Sequence, residues 1–199
     1  MAIILITGPS RSGKSEWAEQ LTAQMAAQHQ QQVVYIATAN QRAVFADASQ
    51  CEPAILHLPH EFWQRRPADW QCKEEPMQLS EAIAQHNQTH CLLIDSLGTW
   101  LANLIEQDEQ PWQKAQSQLL DSLRSTSANV VLVAEETGWG VVPAYELGRR
   151  FRDRLGTLSR LVGTLATDVY LVTSGYAINL TQLGQPVLPS NHKQINHDY

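Results

Sequence analysis

Basic residues are scarce in this chain. Fourteen Lys and Arg stand against twenty Asp and Glu over 199 residues, a formal charge of -6. No global positive field is therefore available to draw in nucleic acid or an anionic membrane surface, and any anion site must be local. Cysteine is scarce too: Cys51, Cys72 and Cys91 have no paired spacing, which argues against a disulfide framework. No apolar stretch approaches the roughly 20 residues of a membrane span. The apolar run Ala2–Ile6 is too short, and lacks the basic flank, to act as a signal peptide. These absences predict a cytoplasmic, reduced protein with no membrane span and no nucleic-acid partner. No internal repeat is present, and the Gln residues near 28–32 are too few to form a low-complexity tract.

What is present is apolar residue content, 43% of the chain, with 17% charged. That is enough for a real core and too much for a disordered segment. It predicts one domain over 1–180, followed by a mobile tail over 181–199 that contains Pro186 and Pro189. Residues 2–7 are a short, β-branched-rich run stopped by Gly8, the pattern of a strand buried on both faces. Further buried strands are expected at Val33–Ala37, Cys91–Ile94, Val130–Ala134 and Val169–Thr173. Ser15–Gln28 carries Trp17, Ala18, Leu21 and Met25 at helical spacing. A long helix opens at Pro143, with Leu147, Phe151, Leu155, Leu158, Val162 and Leu165 as its apolar stripe and Arg149, Arg150, Arg152 and Arg154 on its other face. Alternating β and α predicts an α/β fold, a doubly wound, mostly parallel sheet flanked by helices, of the P-loop NTPase kind. The stretch 40–73 has three Pro, two Trp, three Arg and no sustained period. It is too long for an ordinary connection and is expected to be a functional loop.

Gly8-Pro9-Ser10-Arg11-Ser12-Gly13-Lys14-Ser15 fits G-x-x-x-x-G-K-[ST], with a buried strand before it and an amphipathic helix after it. Backbone N–H groups of such a loop ring a phosphate at the positive end of the helix. Lys14 places a point charge on the β- and γ-phosphates, and the Ser15 hydroxyl ligates Mg²⁺. The second Mg²⁺ partner has to be an acid at a strand tip, and Asp95 at the end of Cys-Leu-Leu-Ile-Asp supplies it, besides being able to cap a helix starting near Leu97. Glu135 and Glu136 end the next strand in the same way, and either could orient an attacking hydroxyl or a metal-bound water.

Several longer runs narrow the choice among P-loop kinases. They are Val-Val-Tyr-Ile-Ala-Thr-Ala at 33–39, Arg-Arg-Pro-Ala-Asp-Trp at 65–70 with Glu74-Glu75-Pro76, Leu-Leu-Ile-Asp-Ser-Leu-Gly-Thr-Trp-Leu-Ala-Asn-Leu at 92–104, and Glu-Glu-Thr-Gly-Trp-Gly-Val-Val-Pro at 135–143 with Arg150-Phe151-Arg152-Asp153. Together, over nearly the whole chain to about Gly175, they resemble the bifunctional adenosylcobinamide kinase / adenosylcobinamide-phosphate guanylyltransferase family. The resemblance implies a cobalamin-biosynthesis enzyme that first phosphorylates the hydroxyl of adenosylcobinamide with ATP or GTP. It then transfers GMP from GTP to adenosylcobinamide-phosphate through a guanylylated histidine, and it works as a homotrimer. Carried over residue by residue, it implies that Ala37, Thr38 and Ala39 line the nucleotide and that Arg65 and Arg66 touch its phosphates. Glu74 or Glu75 would accept from guanine N1–H and N2–H, which suits a carboxylate. Trp100, Leu101, Trp139 and Val142 become candidates for burial between subunits.

The chain also departs from the family's pattern. The position four before Arg66 is Phe62, and His60 lies two residues earlier, so His60 is the expected GMP acceptor and His57 the second choice. In the long helix the family's Asn-Gln is replaced by Ser159-Arg160. Two rival functions remain open at this point: a P-loop small-molecule kinase without guanylyl transfer, and a non-catalytic GTP-binding protein. Cys51, His57, His60 and Cys72 match no closed zinc pattern.

Overall fold

The computed structural model describes residues 1–39, 66–140 and 142–187. A seven-stranded sheet organises them: β1 (Ile3–Gly8), β2 (Gln32–Ala37), β3 (Gln71–Glu74), β4 (His90–Asp95), β5 (Asn129–Glu135), β6 (Asp168–Thr173) and β7 (Tyr176–Asn179). Its order is β3-β2-β4-β5-β1-β6-β7, and every pairing is parallel except β6 with β7. The helices are α1 (Lys14–His29), α2 (Leu79–Ala84), α3 (Leu97–Leu104), α4 (Glu109–Ser125), α5 (Glu146–Leu165) and α6 (Leu180–Leu183). The expected doubly wound α/β sheet is thus observed. Among the described residues, no helix is long and apolar enough to cross a membrane.

Strand periodicity divides the core in two. Ile3, Leu5, Val34, Ile36, Leu92, Ile94, Val130 and Leu132 point to one face, where α2 through α5 cover them with Ile83, Trp100, Leu119, Leu158 and Val162. Ile4, Ile6, Tyr35, Leu93, Val131 and Val133 point to the other, which receives Ala18, Trp17, Leu21 and Met25 of α1. Strands that bury both faces cannot alternate polar and apolar residues, which is why they read as continuous apolar runs.

The structure corrects several expectations. β3 forms within the stretch expected to be a loop, and β7 forms after the last expected strand, each only four residues long and mostly exposed. Such short edge strands carry too little apolar pattern to be seen in sequence. The long helix begins at Glu146, with Tyr145 as its N-cap, and not at Pro143. The tail expected from 181 starts inside α6. Asn179 caps that helix by accepting from Thr181 N and Gln182 N, and its amide donates to Asp168 at 2.8 Å. Trp100 and Leu101, expected between subunits, are buried within this chain, the Trp100 indole donating to the Met77 carbonyl at 3.0 Å. Trp139 and Val142 are exposed.

Arg154 is a further correction, because it does not lie on a solvated face with its neighbours. Its side chain is buried and its guanidinium donates to the carbonyls of Ile105 and Gln107 and to Glu109 at 3.1–3.3 Å. It lies 5.2 Å from the Trp112 ring, so it ties α5 to the α3–α4 connection. Removing a charged donor leaves these half-buried carbonyls unsatisfied. Arg154→Ala is therefore expected to lower stability by about 2–3 kcal/mol in denaturant melts. Arg150→Ala, which breaks only an exposed pair with Glu146 on the same helix, should change it by less than about 0.5 kcal/mol.

Candidate active site

The loop after β1 turns on glycine. At Gly8, φ is 155° and a Cβ would come within 2.1 Å of the Val172 carbonyl oxygen. At Gly13, the N-cap of α1, φ is 94°. Both positions favour a residue without a side chain, and they bend the chain so that α1 points its N-terminus at the loop. Pro9, Ser10 and Arg11 form the outer limb, with Arg11 exposed and itself left-handed at φ 58°. Ser12 is buried, and its Oγ has no hydrogen-bond partner among the described residues, which suits a donor reserved for a ligand oxygen. The Lys14 ammonium donates to the Pro9 carbonyl at 2.8 Å. Burial pulls the Lys14 pKa below its ordinary value, against the opposing fields of Glu135, Asp95, Glu16 and Glu136.

Asp95 ends β4, and the Ser15 hydroxyl in the first turn of α1 favours its ionised form. The Tyr35 hydroxyl donates to Asp95 Oδ2 at 3.3 Å. Burial, followed by the charge of Glu135, pushes the Asp95 pKa up to about 6. The bonds from Ser15 and Tyr35 and the charge of Arg66 act in the other direction. One carboxylate and one hydroxyl, both hard oxygen donors, fit Mg²⁺. Among the described residues no group of three or more His, Cys, Asp and Glu could hold a metal, and of the four residues considered for zinc only Cys72 is described. The strand that carries Asp95 is not hydrogen-bonded to the strand that leads into the loop. Instead β5 lies between β1 and β4, and Glu135 pairs in register with Gly8.

The remaining expected residues are placed unevenly. Ala37, Thr38 and Ala39 are buried. The Thr38 hydroxyl donates to the Ser96 carbonyl at 2.7 Å, accepts from Ser96 N at 2.9 Å and contacts the Thr99 hydroxyl, so Thr38 builds the turn under the site and offers no free side chain to a nucleotide. Arg66 is buried behind Asp95, paired with Glu19 at 3.2 Å and stacked 3.6 Å from the Tyr35 ring centroid. Both contacts help hold it in this structure. Glu75 accepts from Met77 N and Gln78 N and so caps the entry to α2, while Glu74 at the end of β3 is exposed. His57, His60 and Arg65 lie outside the described residues. Ser159 and Arg160 line a cleft of about 810 Å³ beside α5, together with Thr7 and Glu136.

Ser96, Thr99 and Tyr35 were missed as site residues in sequence. Ser96 and Thr99 form a capping box at the start of α3, a Ser-x-x-Thr pattern directly after a strand that could have been recognised. Tyr35 is the one aromatic residue in an otherwise aliphatic strand, Gln-Val-Val-Tyr-Ile-Ala.

The raised Asp95 pKa has a stability consequence of definite sign. Between about pH 4 and 6 the native carboxyl holds a proton that the unfolded one has released, so stability falls as pH rises through that window. Asp95→Asn removes the buried charge. In the metal-free protein it is expected to raise stability at pH 8 by about 1–3 kcal/mol and to change little at pH 4, as read from thermal melts at the two pH values. Nucleotide turnover should be lost in the same variant.

Comparison with known proteins agrees with this geometry. The family described as cobinamide kinase / cobinamide phosphate guanyltransferase matches residues 4–180. The bifunctional adenosylcobalamin biosynthesis protein CobP of Pseudomonas aeruginosa is 36% identical over 185 residues, covering 92% of this chain and 98% of that protein. The bifunctional adenosylcobalamin biosynthesis protein CobU of Escherichia coli K12 is 33% identical, covering 89% and 99%. A solved protein of Pyrococcus horikoshii OT3 shares the fold at a TM-score of 0.52 and 8% identity, over 96% of this chain and 94% of that one. With the family match spanning almost every described element and the loop, Lys14, Ser15 and Asp95 all in place, the chain belongs to the cobinamide kinase / cobinamide phosphate guanyltransferase family.

Proposed function

We propose that this protein, in the cytoplasm, phosphorylates the hydroxyl of adenosylcobinamide with ATP or GTP and then transfers GMP from GTP to the resulting phosphate through a guanylylated His60. The observation that carries the proposal is the buried Lys14 of the glycine loop, acted on by the charges of Glu135 and Asp95, in a chain of this family. In both reactions the loop N–H groups and Lys14 take up negative charge on the phosphates. Ser15 and Asp95 hold Mg²⁺, which when bound neutralises charge on the phosphate oxygens. In the second reaction a neutral imidazole nitrogen attacks the α-phosphorus of GTP, pyrophosphate departs, and the P–N adduct passes GMP to the substrate phosphate. Glu74 or Glu75, at and just after the end of β3, is the carboxylate assigned to guanine.

We also propose a homotrimer, which the resemblance to the family implies, with Trp139, Val142 and Tyr145, all more than half exposed in the segment between β5 and α5, as candidates for its interface. Light scattering at micromolar concentration should show an assembly of three chains, and a 22.3 kDa particle would refute it.

Incubation with [α-³²P]GTP should leave a label that is lost in acid and survives alkali, as a phosphoramidate does. Lys14→Ala should lose both reactions by about 10²-fold or more with the fold intact. His60→Ala should lose labelling and GMP transfer while cobinamide phosphorylation continues. A label that persists in His60→Ala and disappears in His57→Ala moves the nucleophile to His57. A wild-type protein that phosphorylates cobinamide and never labels is a kinase alone.

A further inference from the structure

Glu135, the last residue of β5, and Glu136 after it are held by different hydroxyls. The Glu136 carboxylate accepts from the Thr7 hydroxyl at 2.6 Å and lines the cleft beside α5. Glu135 turns toward β4. Its Oε1 accepts from the Ser96 hydroxyl at 2.5 Å, which fixes the carboxylate at the first turn of α3. Its Oε2 is buried and has no hydrogen-bond partner among the described residues. Space for that oxygen exists because residue 98 is glycine: a Cβ there would lie 2.0 Å from Oε2. Of the acids acting on Lys14 and on Asp95, Glu135 has the strongest influence on both. One oxygen is anchored, and the other is buried against Gly98 without a donor among the described residues, in a carboxylate whose charge acts on both Lys14 and Asp95.

We propose that Glu135 is the catalytic residue that receives the proton of the acceptor hydroxyl in the kinase reaction, Oε2 being the receiving atom. The inference rests on the kinase reading given above. As the acceptor oxygen forms its bond to the γ-phosphorus, the bond from that phosphorus to the β–γ bridging oxygen breaks. Its electron pair leaves with the nucleoside diphosphate, and the hydroxyl proton passes to Oε2 and then to solvent. The loop, Lys14, Ser15 and Asp95 serve both reactions, but the need for a base does not. In guanylyl transfer the nucleophiles are a neutral imidazole and an ionised phosphate, neither of which has a hydroxyl proton to give up. Glu135 is therefore required for the first reaction only.

That asymmetry separates a chemical role from a structural one. Glu135→Gln keeps the size and the bond to Ser96 while removing the base. Its kcat for phosphorylation of cobinamide is expected to fall about 10²–10⁴-fold, with KM for cobinamide within about threefold of wild type. GMP transfer from GTP onto cobinamide phosphate supplied ready-made should stay within about threefold. Gly98→Ala, which displaces Oε2 while leaving the carboxylate in place chemically, should show the same one-sided loss in a protein whose circular dichroism is unchanged. Kinase activity in Glu135→Gln within about threefold of wild type, or a parallel loss of both reactions, overturns the proposal. So does one-sided kinase loss in Glu136→Gln without it in Glu135→Gln. If the wild-type chain itself does not phosphorylate cobinamide, the kinase reading fails, and that outcome is distinct from any result with the variants.

Discussion

Three hydroxyls, those of Thr38, Ser96 and Thr99, hold the turn where β4 becomes α3, and the acidic side of the active site hangs from that turn. Thr38 accepts from the backbone N–H of Ser96 and donates to its carbonyl, so it fixes the peptide immediately after Asp95. Ser96 accepts from Thr99 N as the cap of α3 and donates to Glu135. The position of Asp95 at the end of β4 and that of Glu135 at the end of β5 are thereby set by the same few atoms. Buried networks of this kind are stable when each member is satisfied, and here the donors and acceptors of the turn are nearly all matched with one another.

The charge arrangement follows from that scaffold. Asp95, Glu135, Glu136 and Glu16 all act on Lys14, and burial opposes the charged form of both Lys14 and Asp95. An acidic group held out of water beside a second acid is unfavourable in the free protein. It becomes favourable when cations and phosphates share the space, which is how perturbed groups come to collect at functional sites. Arg66 and Tyr35 support the arrangement from behind: the guanidinium lies against the phenol ring, is paired with Glu19, and helps keep Asp95 from being pushed higher still.

Much of this was legible in the residues. The apolar runs at β1, β2, β4 and β5 announced buried parallel strands because a strand covered on both faces has no polar side to show. The Gly-x-x-x-x-Gly-Lys-Ser motif announced its own geometry, since left-handed backbone at Gly13 and the close approach at Gly8 tolerate little else. The exposed four-residue strands β3 and β7 were not legible, because pairing with a neighbour and not local pattern makes them strands. Arg154 reads in sequence as one more charge among Arg149, Arg150 and Arg152, and only the carbonyls of Ile105 and Gln107 at the far side of α3 make it a buried one.

By itself, then, the sequence determined the α/β class, the glycine-rich turn between β1 and α1 and the family, because each depends on local pattern or on short-range backbone geometry. Tertiary structure alone decided that β5 separates β1 from β4, that Thr38 and Glu75 build turns, and that Arg66 lies behind Asp95. It alone also decided that Glu135 meets Ser96 and Gly98 while Glu136 meets Thr7. The two acids are adjacent in sequence, and successive side chains at a strand end point to opposite faces. Which face holds Ser96 and Gly98 is set by the order of strands in the sheet, and that order is a property of the packed chain.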